Sequence, residues 1–361
     1  MKIVTVVGAR PQFIKAAVVS HALREQHTEI LIHTGQHFDY NMSEQFFEEL
    51  NIPKPNYNLG ISGGTHAEMT GKMMVELERV LEKEVTDMLL VFGDTNSTLA
   101  AALAAAKLHI PVCHVEAGTR TRSLTNPEEI NRVCADHIAS LLLTCTQLNL
   151  DNLKKENLGS RAFFVGDPMY DAFVQYSQKA ESVVHLLTLL DGSIQKIPTD
   201  FYYLTCHREE NTKDDEILSE ILQAMNELDA LTIYPVHPRN KARALRICTK
   251  KHLDNVWLTE PVGYLTSVYL TNRAKKIVTD SGGLQREAFF AQKKCVTVLD
   301  FEVWPETMIN GRNELCIPNT QKLLEAISHK QAIEKNTQPF GDGHAADKIV
   351  KALGDFRKGK R

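Results

Sequence analysis

Short runs of β-branched and aliphatic residues alternate with helical patterns along most of the chain, and this alternation limits the fold more than any other feature. The first run, residues 3–7, ends at Gly8 and precedes a helical pattern that extends to Leu23. Strands that are apolar on both faces and alternate with helices belong to parallel sheets covered by helices. Further strands of this type are predicted at residues 30–33, 88–92, 112–115, 141–143, 202–205, 232–235, 256–258, 276–279 and 295–298.

The length of the chain predicts more than one domain, because 361 residues exceed what a single hydrophobic core usually organises. A turn-rich segment at residues 197–200 separates the two series of strands. We therefore predict an α/β fold of two Rossmann-like domains that face each other across a cleft. Ligands of such sheets bind at the carboxyl ends of the strands, so the residues that directly follow each strand are candidates for function.

Charge and cysteine content exclude several classes of protein. A net charge of −4 provides no overall field that would attract nucleic acid or an anionic membrane, so an anionic ligand needs a local site. The seven cysteines are scattered and form no C-x-x-C pair, which predicts reduced thiols rather than disulfides or a zinc ribbon. The absence of a membrane-length apolar run and of a signal-peptide pattern predicts a soluble, cytoplasmic protein.

Three residues near the N-terminus predict an anion site. Gly8 ends the first strand, and the cations Arg10 and Lys15 lie at the start of the following helix. Free backbone N–H groups at a helix start favour a bound anion. The segment is neither a G-x-G-x-x-G fingerprint nor a P-loop, so the prediction rests on the cations and the helix start.

Asp94 follows the strand at 88–92, with four hydroxyl or amide residues directly after it. Its position places a carboxylate at the carboxyl edge of the sheet, where it could act in catalysis. The alternative is structural, because Asp94 or Asn96 could simply cap the alanine-rich helix that follows. The motif alone leaves both interpretations open.

Two more acidic motifs follow in the first half. His114 and Glu116 end the strand at 112–115, and Gly118 is expected to let a ligand approach the backbone closely. An H-x-E pair supplies only two zinc ligands, so no metal is predicted. Glu128 and Glu129 open the next helix, where they could equally well do no more than provide favourable electrostatics.

The second half supplies candidates for the opposite wall of the cleft. His207 and Arg208 follow its first strand. The neighbouring Cys206 is discounted as a nucleophile, because it lies inside the strand end and no oriented base accompanies it.

The strand at 276–279 is followed by Ser281, Gly282 and Gly283, whose amides could wrap around a diphosphate. Glu287 lies one helical turn further on, placed to accept hydrogen bonds from sugar hydroxyls such as a ribose diol. Together these residues predict a nucleotide site.

Seven motifs, in this order, closely resemble those of the non-hydrolysing UDP-N-acetylglucosamine 2-epimerases: GARPQFIK, GDTNST, HVEAGTR, PEEINR, CHREEN, DSGGLQREA and PFGDGHAADKI. The resemblance covers nearly the whole chain. It implies a fold like that of GT-B glycosyltransferases, with an N-terminal domain at residues 1–167, a UDP-binding domain at 168–344 and a C-terminal helix, 345–361, that packs back on the first domain. It also implies a homodimer that serves bacterial polysaccharide synthesis.

The resemblance further implies a reaction. UDP leaves by anti elimination across C1–C2, a 2-acetamidoglucal stays bound, and UDP adds back after protonation from the opposite face. No cofactor is needed, since a proton is removed and returned. The implied catalytic residues are Asp94, Glu116, Glu129 and His207, with Glu129 favoured over Glu128; the implied substrate-binding residues are Arg10, Lys15, Glu128, Arg132, Arg208, His237, Ser281, Gly282, Gly283 and Glu287.

One region departs from the family pattern. Many members carry a Gln-His-Arg-x-Met stretch that helps to bind an activating second substrate molecule, whereas this chain has Gln36-His37-Phe38-Asp39 and lacks the arginine. We expect weak or absent activation by UDP-N-acetylglucosamine. The same departure resembles relatives that act on modified sugars such as UDP-2,3-diacetamido-glucuronic acid. A GT-B glycosyltransferase, a hydrolysing 2-epimerase and a catalytically silent sugar-nucleotide binder stay open as alternatives.

Overall fold

A computed structural model describes residues 1–35, 44–330 and 337–359. The altered loop at residues 36–42 therefore lies outside the described residues. The chain forms two compact units, one of residues 1–174 together with the segment from 338 onward, and one of residues 175–337. The sequence placed the corresponding boundaries at 167/168 and 344/345.

Unit 1 contains a parallel sheet in the order β3-β2-β1-β4-β5-β6-β7 among the described residues. The central strands are buried on both faces, as their apolar sequences predict. The strands are β1 (Lys2–Val7), β2 (Thr28–His33), β3 (Tyr57–Asn58), β4 (Met88–Phe92), β5 (Val112–Val115), β6 (Leu141–Thr144) and β7 (Ala162–Phe164).

Helices follow each of these strands. They are α1 (Arg10–Arg24), α2 (Glu44–Glu49), α3 (His66–Glu84), α4 (Asn96–Lys107), α5 (Pro127–Ile138), α6 (Gln147–Lys155) and α7 (Pro168–Glu181). Helix α3 was not predicted from the sequence, although the signal for its start is present. Thr65 accepts a hydrogen bond from the Glu68 amide, and the Glu68 carboxylate accepts one from the Thr65 amide, which is a capping box.

Unit 2 has the same parallel architecture, with the sheet order β12-β11-β10-β13-β14-β15 in its described part. Its elements are β8 (Leu186–Thr188), β9 (Ile194–Lys196), β10 (Phe201–Thr205), α8 (Glu209–Thr212), α9 (Asp215–Asn226), β11 (Leu231–Pro235), α10 (Lys241–Lys251), β12 (Val256–Thr259), α11 (Tyr264–Arg273), β13 (Ile277–Thr279), α12 (Gly282–Phe290), β14 (Cys295–Thr297), β15 (Asn313–Leu315) and α13 (Thr320–Ser328). Strands β8 and β9 form a separate antiparallel hairpin.

The last helix, α14 (Ala345–Arg357), belongs to unit 1 and packs on α1. Asp171 of α7 accepts a hydrogen bond of 2.8 Å from the Ala346 amide at the start of α14. None of the helices in the described part of the chain is long and apolar enough to cross a membrane.

Candidate active site

The carboxyl edge of the unit 1 sheet brings two of the predicted acids to adjacent strands. Asp94 follows β4 and Glu116 follows β5, and these two strands pair in parallel. Gly93, directly before Asp94, and Glu116 itself have left-handed backbone conformations, with φ of 62° and 73°. A non-glycine residue in this region costs free energy, so the fold holds Glu116 in a conformation that few residues adopt.

Arg132 joins two of the predicted acids through one guanidinium group. Its Nη2 pairs with Asp94, and its Nη1 lies 2.5 Å from Glu129 Oε2. Burial alone would lower the pKa of Arg132, but the two carboxylates outweigh it and raise that pKa. Arg132, predicted as a substrate ligand, thus has protein carboxylates as its partners.

Asp94 is not the cap of α4. Thr95 is the N-cap residue, and its side chain accepts a hydrogen bond from the Thr98 amide. The capping interpretation of Asp94 and Asn96 is therefore wrong. The Asp94 side chain keeps 28% of its surface exposed. The Asn131 side chain donates a 2.9 Å hydrogen bond to the Asp94 backbone carbonyl.

Glu129 is a buried carboxylate with several donors, whereas Glu128 is exposed. The Thr121 and Arg122 amides lie 2.9 and 2.8 Å from its oxygens. Burial would raise its pKa, but these amides and Arg132 outweigh burial and hold the pKa of Glu129 below its usual value. Glu129 is therefore ionised at neutral pH.

Glu116 forms a buried ion pair with Lys15 of α1. The Lys15 and Glu116 side chains are 2% and 8% exposed. A Cβ on Gly93 would lie 3.5 Å from Lys15 Nζ and 3.8 Å from Glu116 Oε1, so the pair lies directly beneath the turn that carries Asp94. Lys15, predicted to bind phosphate, is paired with a protein carboxylate instead of facing solvent.

We call Asp94, Glu116 and Glu129, with Lys15 and Arg132, the carboxylate cluster. In this cluster each acid has a cation at its side. Asp94 is the most exposed of the three acids.

The two amides directly after β1 have a protein acceptor. The Gln12 side-chain oxygen accepts hydrogen bonds of 2.8 Å from the Gly8 amide and 3.1 Å from the Ala9 amide. The anion site predicted from Gly8, Arg10, Lys15 and the start of α1 stays a prediction, and these two amides do not contribute to it. Arg10 stacks over the Phe46 ring at 4.6 Å from its centroid.

His114 has both ring nitrogens engaged by protein atoms. Nδ1 lies 2.7 Å from Asp136 Oδ1 and Nε2 lies 2.7 Å from the Gly93 carbonyl oxygen. Asp136 is fully buried and also accepts hydrogen bonds from the Gly118 amide and from Arg120. The ring therefore has no free nitrogen for a metal and instead fixes the turn before Asp94.

Two further findings concern the same edge. Gly118 was expected to admit a ligand, but a Cβ there would lie 2.3 Å from the Asn149 carbonyl oxygen, so the close approach is to α6. Among the described residues, Glu116, Cys145 and Asp167 place possible metal-donor atoms within 4.8 Å of one another. The Glu116 carboxylate already pairs with Lys15.

In unit 2, the predicted diphosphate residues surround the start of α12. Ser281 is the N-cap residue and accepts a 3.3 Å hydrogen bond from the Leu284 amide. Gly282 and Gly283 form the first turn, where backbone N–H groups point outward, and both are partly exposed. Glu287 lies buried further along this helix.

The turn after β10 carries the other unit 2 candidates. His207 is 43% exposed and its ring stacks against that of His237, with centroids 6.4 Å apart. Arg208 donates a 2.9 Å hydrogen bond from Nε to the Asp280 carbonyl oxygen. Cys206 is buried, which raises the pKa of its thiol and agrees with its being discounted as a nucleophile.

Sequence reasoning missed several residues that hold the candidates in place, above all Asp280, Asp136 and Gln12. Asp136 carries no signal beyond its residue type, since its importance depends on long-range partners. Asp280 does begin the Ser-Gly-Gly motif directly after β13, and that position was a usable signal.

Two parallel α/β units confirm the predicted class of two Rossmann-like domains, and the chain shares the GT-B-like fold of its structural relatives. The chain belongs to the UDP-N-acetylglucosamine 2-epimerase family, whose model matches residues 21–354. It is therefore an enzyme of the isomerase class. This assignment sets aside the glycosyltransferase and the silent binding protein.

Individual relatives agree with the assignment. A UDP-N-acetylglucosamine 2-epimerase homolog of Methanococcus maripaludis is 47% identical over 98% of this chain and 99% of its own length. A UDP-2,3-diacetamido-2,3-dideoxy-D-glucuronate 2-epimerase of Pseudomonas aeruginosa is 45% identical, with the same coverage. The crystal structure of Methanocaldococcus jannaschii UDP-GlcNAc 2-epimerase with UDP-GlcNAc and UDP has a TM-score of 0.87 at 39% identity, covering 98% of this chain and 99% of that chain.

Proposed function

We propose that this enzyme interconverts UDP-GlcNAc and UDP-ManNAc by the non-hydrolysing route. A carboxylate removes the C2 proton, the C1–O bond breaks, and UDP leaves to give a 2-acetamidoglucal. A proton then returns to C2 from the opposite face while a UDP oxygen re-forms the bond to C1. The observation that carries this proposal is the carboxylate cluster, because inversion at a weakly acidic carbon needs acids and bases held on both faces.

Within the cluster, we assign removal of the C2 proton to Asp94, while the group that returns a proton to the opposite face stays a prediction between Glu116 and His207. It is the most exposed of the three acids, whereas Glu116 and Glu129 have nearly all of their surface buried. A group that exchanges a proton with a substrate must be able to contact it. Glu129 is held ionised by its donors, and in this proposal it contributes charge rather than a proton.

The unit 2 motifs are assigned to the departing UDP. Negative charge accumulates on the diphosphate as the C1–O bond breaks, and fixed donors stabilise it as it develops. The N-terminus of α12 and the partly exposed His207 and Arg208 side chains supply donors of this type. The roles of Arg10, His237 and Glu287 in substrate binding stay predictions, as do the homodimer, the cytoplasmic location and the polysaccharide pathway.

A second candidate substrate is UDP-2,3-diacetamido-2,3-dideoxy-D-glucuronate. It is favoured by the similarity to the Pseudomonas aeruginosa 2-epimerase named for this substrate, which is 45% identical over 98% of the chain. The reaction at C2 would be the same, and only the substituents at C3 and C6 would differ.

An activity assay distinguishes between the two substrates. Each UDP-sugar is supplied alone, with no acceptor and no added cofactor. We expect UDP-GlcNAc to be converted to its C2 epimer, as followed by anion-exchange chromatography of the intact sugar nucleotides. Turnover of the diacetamido-glucuronate alone would move the assignment to the second candidate. No conversion of either sugar would contradict the proposed function.

A further inference from the structure

Asp280 lies where the two phosphate-directed motifs of unit 2 meet. Strands β10 and β13 pair in parallel with Thr205 opposite Thr279, so the residues that follow them come to the same edge. His207 and Arg208 follow β10, and Asp280 follows β13 directly. The register of the sheet therefore brings a buried carboxylate against the turn that carries the predicted catalytic histidine.

The contacts of Asp280 are directed almost entirely at that turn. Its carboxylate accepts hydrogen bonds of 2.9 Å from the His207 amide and 2.8 Å from the Arg208 amide. His207 Nδ1 lies 3.1 Å from Asp280 Oδ1. The Asn211 side chain adds a contact of 3.3 Å, and the carboxylate is fully buried.

These contacts leave one side of the His207 ring available. Asp280 occupies Nδ1, His237 stacks on the ring, and Arg239 donates a 2.8 Å hydrogen bond to the His207 carbonyl oxygen. The His207 side chain nevertheless keeps 43% of its surface exposed. A carboxylate at one ring nitrogen directs the proton to that nitrogen, fixes the ring, and stabilises the imidazolium form.

We propose that Asp280 is a positioning residue that orients His207 toward the diphosphate and stabilises positive charge on its ring during departure of UDP. The proposal rests on the function proposed above. Burial would raise the pKa of Asp280, but His207 and the two backbone amides outweigh burial and lower it to about 2, so the carboxylate stays ionised at every pH at which the enzyme would act.

The unaltered enzyme allows a first test. Nitrogen-15 NMR of histidine-labelled protein distinguishes the two ring nitrogens of His207, whose signals are assigned by comparison with His207→Gln. We expect Nδ1 to carry a proton at neutral and mildly alkaline pH. A ring protonated only at Nε2 would overturn the proposal, because Nδ1 could then donate nothing to Asp280.

A double-mutant cycle with Asp280→Asn and His207→Gln provides the second test. The amide keeps the size of the carboxylate and its acceptor oxygen but removes the charge. Carboxylates that orient a metal-bound histidine typically contribute about 10- to 100-fold, and we expect a loss of the same order in kcat for Asp280→Asn. If Asp280 acts through His207, the double variant should lie within about threefold of the worse single variant.

The outcomes separate this inference from the proposed function. The positioning role is overturned if the kcat losses of the two single variants multiply in the double variant, or if Asp280→Asn keeps wild-type kcat. The proposed epimerase activity stands in either case. If the wild-type enzyme converts neither UDP-sugar, the proposed function itself is refuted. Asp254 is an exposed aspartate of the same unit, so Asp254→Asn is the matched control and should keep wild-type kcat.

Discussion

Replacement of Asp94 by asparagine is expected to lower kcat by roughly 10²- to 10⁴-fold, the range that proton-transfer groups usually contribute. The amide has the shape of the carboxylate but cannot accept the C2 proton. It also removes one of the two carboxylates that Arg132 joins. UDP affinity, measured by calorimetry, should change far less, because the groups assigned to the diphosphate lie on other residues.

The exposed Asp254 supplies the control for this substitution. Asp254→Asn makes the same chemical change away from the carboxylate cluster and should keep the wild-type rate. Turnover of Asp94→Asn within about threefold of wild type would contradict its assignment as the proton-transfer group.

Replacement of Asp136 by alanine is expected to have the largest effect on stability. Asp136 is fully buried and contacts His114, the Gly118 amide and Arg120. Removal of one partner of a buried ion pair leaves the other charge uncompensated, which typically costs about 3–5 kcal/mol. The turns that carry Asp94 and Glu116 should loosen as well, because His114 contacts the Gly93 carbonyl oxygen and Gly118 follows Glu116 by two residues.

Hydrogen exchange followed by mass spectrometry is the appropriate measurement, since both tryptophans, Trp257 and Trp304, lie in unit 2 and cannot report on unit 1. Peptides from β5 and α5 should exchange faster in Asp136→Ala. The exposed Asp151 is the matched control within unit 1, and Asp151→Ala should leave exchange in β5 and α5 unchanged. Equal protection in Asp136→Ala and wild type would refute the role given to this network.

The stabilisation that Asp136 provides should depend on pH. Its pKa is lowered, because His114 and Arg120 outweigh the effect of burial. Its contribution is therefore complete above the unfolded-state pKa of about 4 and is lost as the pH falls toward the lower folded-state value.

The sequence was a good guide to the sheets. Runs such as 88–92 and 112–115 are apolar throughout, and only a strand buried on both faces explains them. The acidic motifs were found for a related reason, since parallel strands place their carboxyl ends at one edge and Asp94 and Glu116 follow adjacent strands.

The partners of those acids could not be predicted, because they depend on contacts between distant segments. Lys15 reaches Glu116 from a helix about a hundred residues away in sequence, and the Gln12 side chain accepts hydrogen bonds from the Gly8 and Ala9 amides. Gly118 was assigned to a ligand although α6 fills the space beside it. In each case the residue type was informative and the identity of its neighbour was not.

The most direct test of the account is proton NMR of the reaction in D₂O, with UDP-GlcNAc as the only added substrate. Under the proposed mechanism, deuterium enters C2 while the sugar stays linked to UDP, and the C2 epimer appears as an intact sugar nucleotide. Accumulation of UDP with free hexosamine would show the hydrolysing course instead. Epimerisation with hydrogen fully retained at C2 would contradict proton removal by the carboxylate cluster.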